Sequence, residues 1–600
     1  MELETRLLLD ITLLLVVAAV FSILFARFRM PTIVGYLAAG ILLGSSLLPG
    51  VAIDEGTVSV FSSLGIVLLM FFIGIELNLR GLRRLGPSAF LIVTLEMSLM
   101  IMVGYYLGRG FGLDPTQALF LGAIMSGAST AAVLSVAAVN PHMKGDLSKR
   151  IMSIMIFEDI VQVVILTLAS PLALGAGLDV DLTSWIILEI IAFMGLSILL
   201  GLAVVPRGMD WLRRNYTKET VLIVSLALCF AMALFSSYIG LSVAIGAFLA
   251  GIILAESSCN QIVRHRIEPM KELFMAIFFI AIGLQIDLSS MVDNIALVIV
   301  IAAVFIAAKF TTVMASTYLT TIDLRSSFYL ATSLVAMSEF GFIVATIALN
   351  AGIITSSFYS VIIGAALITM VVLPLLSRSG PRLFDRSARS APPWLTDRLR
   401  RMDKVRREVR RKLSISPELR LEVRKQVIMI LMDFLIIITA LLVLNLVPAV
   451  DELIGPVAQE LGLSLSLLKF LITLAFVAPA VLNLITRVQL ISMTVALSIS
   501  EGGRHSRGGR LKIYRAFRDI GEVLIGLLLV LVLLPFFPPL ELRDATSVGA
   551  VAVAVVLLTI VSWGLFRPAM NKMSSALMTR LAFLDEEESP PPARESACED

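Results

Sequence analysis

Charge is scarce in this sequence: Asp, Glu, Lys and Arg make up 16% of its 600 residues, against about 25% in soluble domains. Cysteine is scarcer still. Cys229, Cys259 and Cys598 are too few and too scattered for a disulfide framework or a thiolate metal centre. The three histidines, His142, His265 and His505, stand among basic residues in stretches that read as solvated loops rather than ligand sets. No G-x-x-x-x-G-K-[ST] run occurs, so nothing points to ATP as an energy source. No cofactor, resident metal, catalytic residue or nucleic-acid partner is expected, and an enzyme is not.

What is abundant is apolar sequence. Hydrophobic residues make up 58% of the chain, and the mean hydropathy is +0.95. They come in blocks of about 20 residues, the length that crosses a hydrocarbon core. An all-α polytopic membrane protein follows. The first block, Leu7 to Phe25, follows Glu2, Glu4 and Arg6 without a basic leader and reads as a retained span.

Thirteen spans can be drawn up to residue 377, at 7–26, 32–48, 58–77, 88–108, 116–139, 151–173, 184–205, 219–238, 241–256, 272–287, 294–319, 327–349 and 356–376. The distribution of Lys and Arg orients them. With the N-terminus outside, sixteen basic residues, from Arg27 and Arg29 through Arg213, Arg214 and Arg264 to Arg325, fall in inside loops. Only Arg6 and Arg109 fall outside, where Asp54, Asp114, Asp179 and Asp287 also lie. A miscounted span would scramble this bias from that point on.

Beyond residue 377 the composition changes. Residues 378–426 form a basic linker, with sixteen Lys or Arg between 378 and 425 against six acids. The run from Arg398 to Lys412 reads as a cytoplasmic helix near anionic lipid headgroups. Apolar blocks return at 427–447, 466–486, 520–538 and 547–566, giving an additional C-terminal membrane module of about four spans over 427–570. Residues 571–600 end in an acidic, proline-containing stretch expected to be a disordered cytoplasmic tail.

Ionisable side chains inside spans are costly, and each is a functional candidate. The sixth span carries Glu158 and Asp159 side by side, about two turns from its cytoplasmic end. Neighbours on a helix point about 100° apart, so one can face an aqueous cavity and the other a neighbouring helix. Such a carboxylate can hold a proton or a dehydrated cation, but not both at full strength. Lys309, in the eleventh span, needs a buried partner, and Glu158 is the candidate, leaving Asp159 for the ion. The fifth span holds Ser126, Gly127, Ala128, Ser129 and Thr130, and the twelfth holds Ser338, Glu339 and Gly341. Small and polar residues at mid-span mark where transporter helices break. Glu339 would there offset the positive ends of half-helices. Glu96, in the fourth span, receives no assignment.

Four stretches carry a family likeness: Pro31-Thr-Ile-Val-Gly-Tyr-Leu-Ala-Ala-Gly-Ile-Leu-Leu-Gly44, Leu69-Met-Phe-Phe-Ile-Gly-Ile-Glu76, Gly240-Leu-Ser-Val-Ala-Ile-Gly-Ala-Phe-Leu-Ala-Gly251 and Phe278-Phe-Ile-Ala-Ile-Gly-Leu284. Through them residues 8–377 resemble the cation:proton antiporter-2 family, the Kef/NapA type of sodium or potassium/proton exchangers. The resemblance implies thirteen spans in inverted repeats, broken crossing helices around Thr130 and Glu339, and a homodimer. It also implies Asp159 as the essential carboxylate, with Glu158, Ser129 and Thr130 around the cation or proton, and Lys309 and Glu339 as charge-compensating groups.

Three departures stand out. Glu158 occupies a position where relatives typically carry Asp, Asn or Gln. Met337 replaces an Arg common in sodium/proton members. No glycine-rich nucleotide-binding domain follows the spans. The expected function is exchange of Na+ or K+ for H+ across the cell membrane by alternating access, with the C-terminus cytoplasmic. The alternative is a gated K+ efflux system of Kef type behaving like a channel.

Overall fold

The computed structural model describes residues 3–390, apart from Arg29, 45–54, 77–86, 174–179, Gly240 and 320–322. It also describes 448–460 and isolated positions between 425 and 487. The chain divides into two compact units, Met1–Arg406 and Arg407–Asp600. The basic helix at 398–412, most of the four C-terminal spans and the acidic tail lie outside the described residues.

Within the first unit the described structure is all-helical: α1 (Leu3–Arg27), α2 (Thr32–Gly44), α3 (Glu55–Glu76), α4 (Pro87–Gly110), α5 (Pro115–Ile124), α6 (Thr130–Val139), α7 (Asp146–Ala173) and α8 (Val180–Asn215) lead. They are followed by α9 (Lys218–Tyr238), α10 (Val243–Ala255), α11 (Asn260–Leu284), α12 (Leu288–Asp293), α13 (Ile295–Leu319), α14 (Leu324–Ser333), α15 (Glu339–Asn350) and α16 (Ser356–Ser390). Eight described helices are long and apolar enough to cross a membrane. In the second unit the described helix is α17 (Pro448–Glu460), and Arg487 pairs with Asp433 at 2.8 Å.

Helix ends follow from local sequence. Asp114 caps α5 by accepting from the backbone N–H groups of Thr116 and Gln117, and the Gln117 side chain accepts from Asp114 N–H in return. Asp287 caps α12, and the Ser289 and Ser290 hydroxyls hold its carboxyl down to about 2. α16 runs past the expected span end at 376 to Ser390. Arg378, Arg382, Arg386 and Arg389 recur there at helical spacing on the exposed face, while Ser377 and Gly380 are buried. The helix thus takes in the first residues of the basic stretch that begins at 378.

The helices sort into two packing groups. α4–α7 and α13–α16 pack among themselves; α1–α3 and α8–α11 form the other group. The second group is knit by glycines. A Cβ on Gly40 of α2 would stand 2.2 Å from the Ile280 carbonyl oxygen and 2.7 Å from the Gly283 Cα of α11. A Cβ on Gly74 of α3 would meet the Phe248 oxygen at 2.3 Å and the Gly251 Cα of α10 at 2.9 Å. The same contact is thus made twice by matching sequences: Gly40-Ile-Leu-Leu and Gly251-Ile-Ile-Leu on one side, Ile73-Gly-Ile-Glu76 and Ile282-Gly-Leu-Gln285 on the other. Lipid tails give helices no hydrophobic reason to associate, so this backbone-to-backbone approach supplies the packing.

Gly40→Ala should therefore force two backbones apart and cost about 1–3 kcal/mol, as overpacking does. Gly195 of α8, where a Cβ meets nothing within 4 Å, is the control. Thermal unfolding in detergent should show a lowered midpoint for Gly40→Ala and none for Gly195→Ala.

Candidate functional site

Two helix pairs stop short in the middle of the bundle. α5 ends at Ile124 and α6 resumes at Thr130; α14 ends at Ser333 and α15 resumes at Glu339. Each break strands backbone groups that lipid cannot satisfy. The two breaks satisfy one another. Ser129 N–H donates to the Ala336 carbonyl at 2.9 Å and Ser338 N–H to the Gly127 carbonyl at 3.2 Å, an antiparallel bridge between Ala128 and Met337. Each restarted helix is capped by a serine. Ser129 accepts from Ala132 N–H at 3.2 Å, and Ser338 from Phe340 N–H at 3.2 Å. The positive ends of α6 and α15 therefore meet in the middle of the protein.

α7 presents its carboxylates to this crossing. The Thr130 hydroxyl, at the first residue of α6, donates to Asp159, standing 2.9 Å from Oδ1 and 3.2 Å from Oδ2. Asp159 keeps 8% of its surface exposed and Glu158 keeps none. One turn on, Gln162 Nε2 donates to Ser126 Oγ at 2.8 Å and pins the edge of the first break. Glu339, the first residue of α15, turns its carboxylate to the Ser129 hydroxyl and the Ala131 backbone N–H. Met337 N–H donates to Thr369 Oγ1 at 3.0 Å, so the second break carries no cationic side chain at that position.

The cation comes from α13. Lys309 is fully buried, and among the described residues it is the one buried Lys or Arg. Its ammonium lies 3.3 Å from Glu158 Oε2 and 3.1 Å from the Ser126 carbonyl. Glu158 Oε2 also accepts from Ala128 N–H at 2.7 Å. The structure thus brings Ser129, Thr130, Glu158, Asp159, Lys309 and Glu339 to one place.

Sequence reasoning missed the nearest neighbour of Lys309. Glu96 Oε1, from α4, stands 2.5 Å from its Nζ, and Glu96 is as deeply buried as the lysine. The signal was there, a carboxylate in the middle of a span. Its partner lies more than 200 residues away, a pairing that only the fold supplies. Two buried carboxylates, Glu96 and Glu158, thus flank the one buried ammonium, and two more, Asp159 and Glu339, are buried at the same crossing. Such a site has excess negative charge for a cation or protons to neutralise.

Residues 13–378 match the family described as "Sodium/hydrogen exchanger, transmembrane", within a few residues of the 8–377 that resemble the antiporter-2 family. Among curated proteins, the chain is 27% identical over 366 residues to the Na(+)/H(+)-K(+) antiporter GerN of Bacillus cereus, covering 61% of this chain and 94% of that one. It is 24% identical to a Na(+)/H(+) antiporter of Enterococcus hirae, covering 61% and 95%. To the glutathione-regulated potassium-efflux protein KefC of Salmonella heidelberg it is 27% identical, spanning 58% of this chain and 56% of that relative. Among solved structures, the sodium proton antiporter MjNhaP1 of Methanocaldococcus jannaschii aligns at 15% identity with a TM-score of 0.48, covering 64% of this chain and 97% of that one. On the match spanning residues 13–378, the chain belongs to the sodium/hydrogen exchanger family.

Proposed function

We propose that this protein exchanges a monovalent cation, Na+ or K+, for protons, with Asp159 as the group the two compete for. The observation that carries this reading is the position of Asp159. It sits where two half-helices restart, ligated by Thr130 and retaining a small exposed face. An ionised Asp159 offers a dehydrated cation two carboxylate oxygens, and Thr130 adds a hydroxyl oxygen beside them, with Ser129 next to it in sequence. A protonated Asp159 offers the cation little. Competition for one site couples the two fluxes without ATP. A channel-like K+ efflux route needs a continuous pore and no obligatory proton step. Lys309 and its carboxylates pack the crossing shut, which favours exchange.

Thirteen crossings account for the first unit. The eight long helices supply eight, and α2, α10 and α11 supply three. The interrupted pairs α5–α6 and α14–α15 supply the other two. The repeated glycine contact supports an inverted repeat, with α2 and α3 answering to α10 and α11. In alternating access, the group holding α4–α7 and α13–α16 moves as a body against the other. The protein then lies in the cell membrane with its N-terminus outside, and acts as a homodimer through the group holding α1–α3 and α8–α11. The basic stretch after α16 lies near anionic headgroups. The region 427–570 is a separate membrane module, and residues after 570 are a tail.

Two experiments test this. Asp159→Asn, reconstituted in proteoliposomes with a pH-sensitive dye, should fold and show no cation-driven proton flux. Measurable flux would remove Asp159 from the site. A chain ending at Arg406 keeps every buried charge of the crossing. It should exchange at a rate comparable to the full protein, normalised to folded protein. A folded but inactive truncation would place the C-terminal module in the transport path.

A further inference from the structure

The ammonium of Lys309 has three N–H bonds to place. Two go to acceptors, the Ser126 carbonyl at 3.1 Å and Glu158 Oε2 at 3.3 Å, and Glu96 Oε1 forms a close ion pair with the ammonium at 2.5 Å. The two carboxylates depend on it unequally. Glu158 Oε2 has a second donor, the Ala128 N–H at 2.7 Å. Neither Glu96 oxygen has a hydrogen bond of good angle from any described donor. The close ammonium is what compensates its buried charge. A buried carboxylate stripped of its only counter-charge is far costlier than one that keeps a backbone donor.

We propose that Glu96 is the standing partner of Lys309, and that Glu158 is the exchangeable one. When a cation arrives at Asp159, Glu158 turns its charge toward the ion while Glu96 keeps the ammonium partnered. Glu96 is thus a positioning residue for cation binding, acting through Lys309 and Glu158 without touching the ion. The inference rests on the antiport reading of Asp159. Its physical content is a division of labour: one lysine, two carboxylates, and only one of them free to leave. Without Glu96, the lysine would hold Glu158 permanently, and each cation bound would leave an ammonium bare.

The experiment uses the full chain in proteoliposomes, with Na+ and K+ as the probe cations, and thermal unfolding of the same preparations. In Glu96→Gln the half-saturating cation concentration should rise about tenfold, within the span of ordinary site-to-site coupling. Maximal exchange per folded protein should stay within about twofold, the pattern of a binding effect. Glu96→Asp, which keeps the carboxylate, should restore most of the affinity. Glu96→Gln should also lower the unfolding midpoint more than Glu158→Gln does, and adding Lys309→Met should recover much of that loss.

An unchanged half-saturating concentration would overturn the proposal even if stability falls, since a structural strut alone would behave so. A larger stability loss for Glu158→Gln would overturn it as well. Should Glu96→Gln not fold, the decision passes to Glu96→Gln/Lys309→Met, which must fold if Lys309 is what Glu96 serves. Exchange that survives in Asp159→Asn would instead defeat the antiport reading and leave the stability ordering to be judged separately.

Discussion

A lysine ammonium sealed from water must find all its acceptors inside the protein, and the centre of this structure is organised around that demand. Lys309 reaches α4 through Glu96, α7 through Glu158 and the first helix break through the Ser126 carbonyl. Four chain segments are thereby tied at one nitrogen. In a medium of low polarity, each tie is costly to lose and none can be replaced by water. The position of Glu158 follows from it, and so does the freedom of Asp159, which points away to Thr130.

The two broken helix pairs impose a second demand. Four helix ends in the membrane would leave orphan backbone groups. The bridge between Ala128 and Met337 and the caps from Ser129 and Ser338 meet it within the protein. This arrangement converts a liability into a site. The N-terminal ends of α6 and α15 bring partial positive charge to the place where Asp159 and Glu339 bring negative charge. The excess of carboxylates over the single lysine then sets the sign of what the site attracts. Gln162, bonded to Ser126, holds the edge of the break against α7. A change in α7 is thereby felt at the crossing.

Much of this was legible in the sequence, for physical reasons. Apolar blocks of membrane length survive as helices because lipid leaves the backbone no alternative. The carboxylates of Glu158, Asp159 and Glu339 and the ammonium of Lys309 stand out because ionisable groups are rare in such blocks. The first break, at 125–129, is signalled by Ser126, Gly127 and Ser129, and the second by Ser338 ahead of Glu339 and Gly341. What sequence could not supply was pairing across distance. A buried lysine calls for a carboxylate, and sequence offers Glu158; that Glu96 lies closer only the fold shows. The Gly40–Gly283 and Gly74–Gly251 contacts were equally hidden. A glycine announces conformational freedom or close approach, but only the fold says to what. The extension of α16 to Ser390 carries a helix into the basic stretch, whose first arginines recur with the period of a helix.

Within the first unit, the described ion pairs that join different helices fall into two sets. Glu96, Glu158 and Lys309 lie on α4, α7 and α13, all within one packing group. Arg264 pairs with Glu76 at 2.6 Å and Arg266 with Glu219 at 3.2 Å, joining α11 to α3 and α9 within the other. The crossing, its caps and Asp159 belong wholly to the first group, and the Gly40–Gly283 and Gly74–Gly251 contacts wholly to the second. An arrangement of this kind lets one group move past the other without breaking a buried charge pair, whose rupture would cost several kcal/mol. Under the proposed alternating access, the charged centre would be carried as a unit. A cation bound at Asp159 would travel with the lysine and carboxylates that prepared its site.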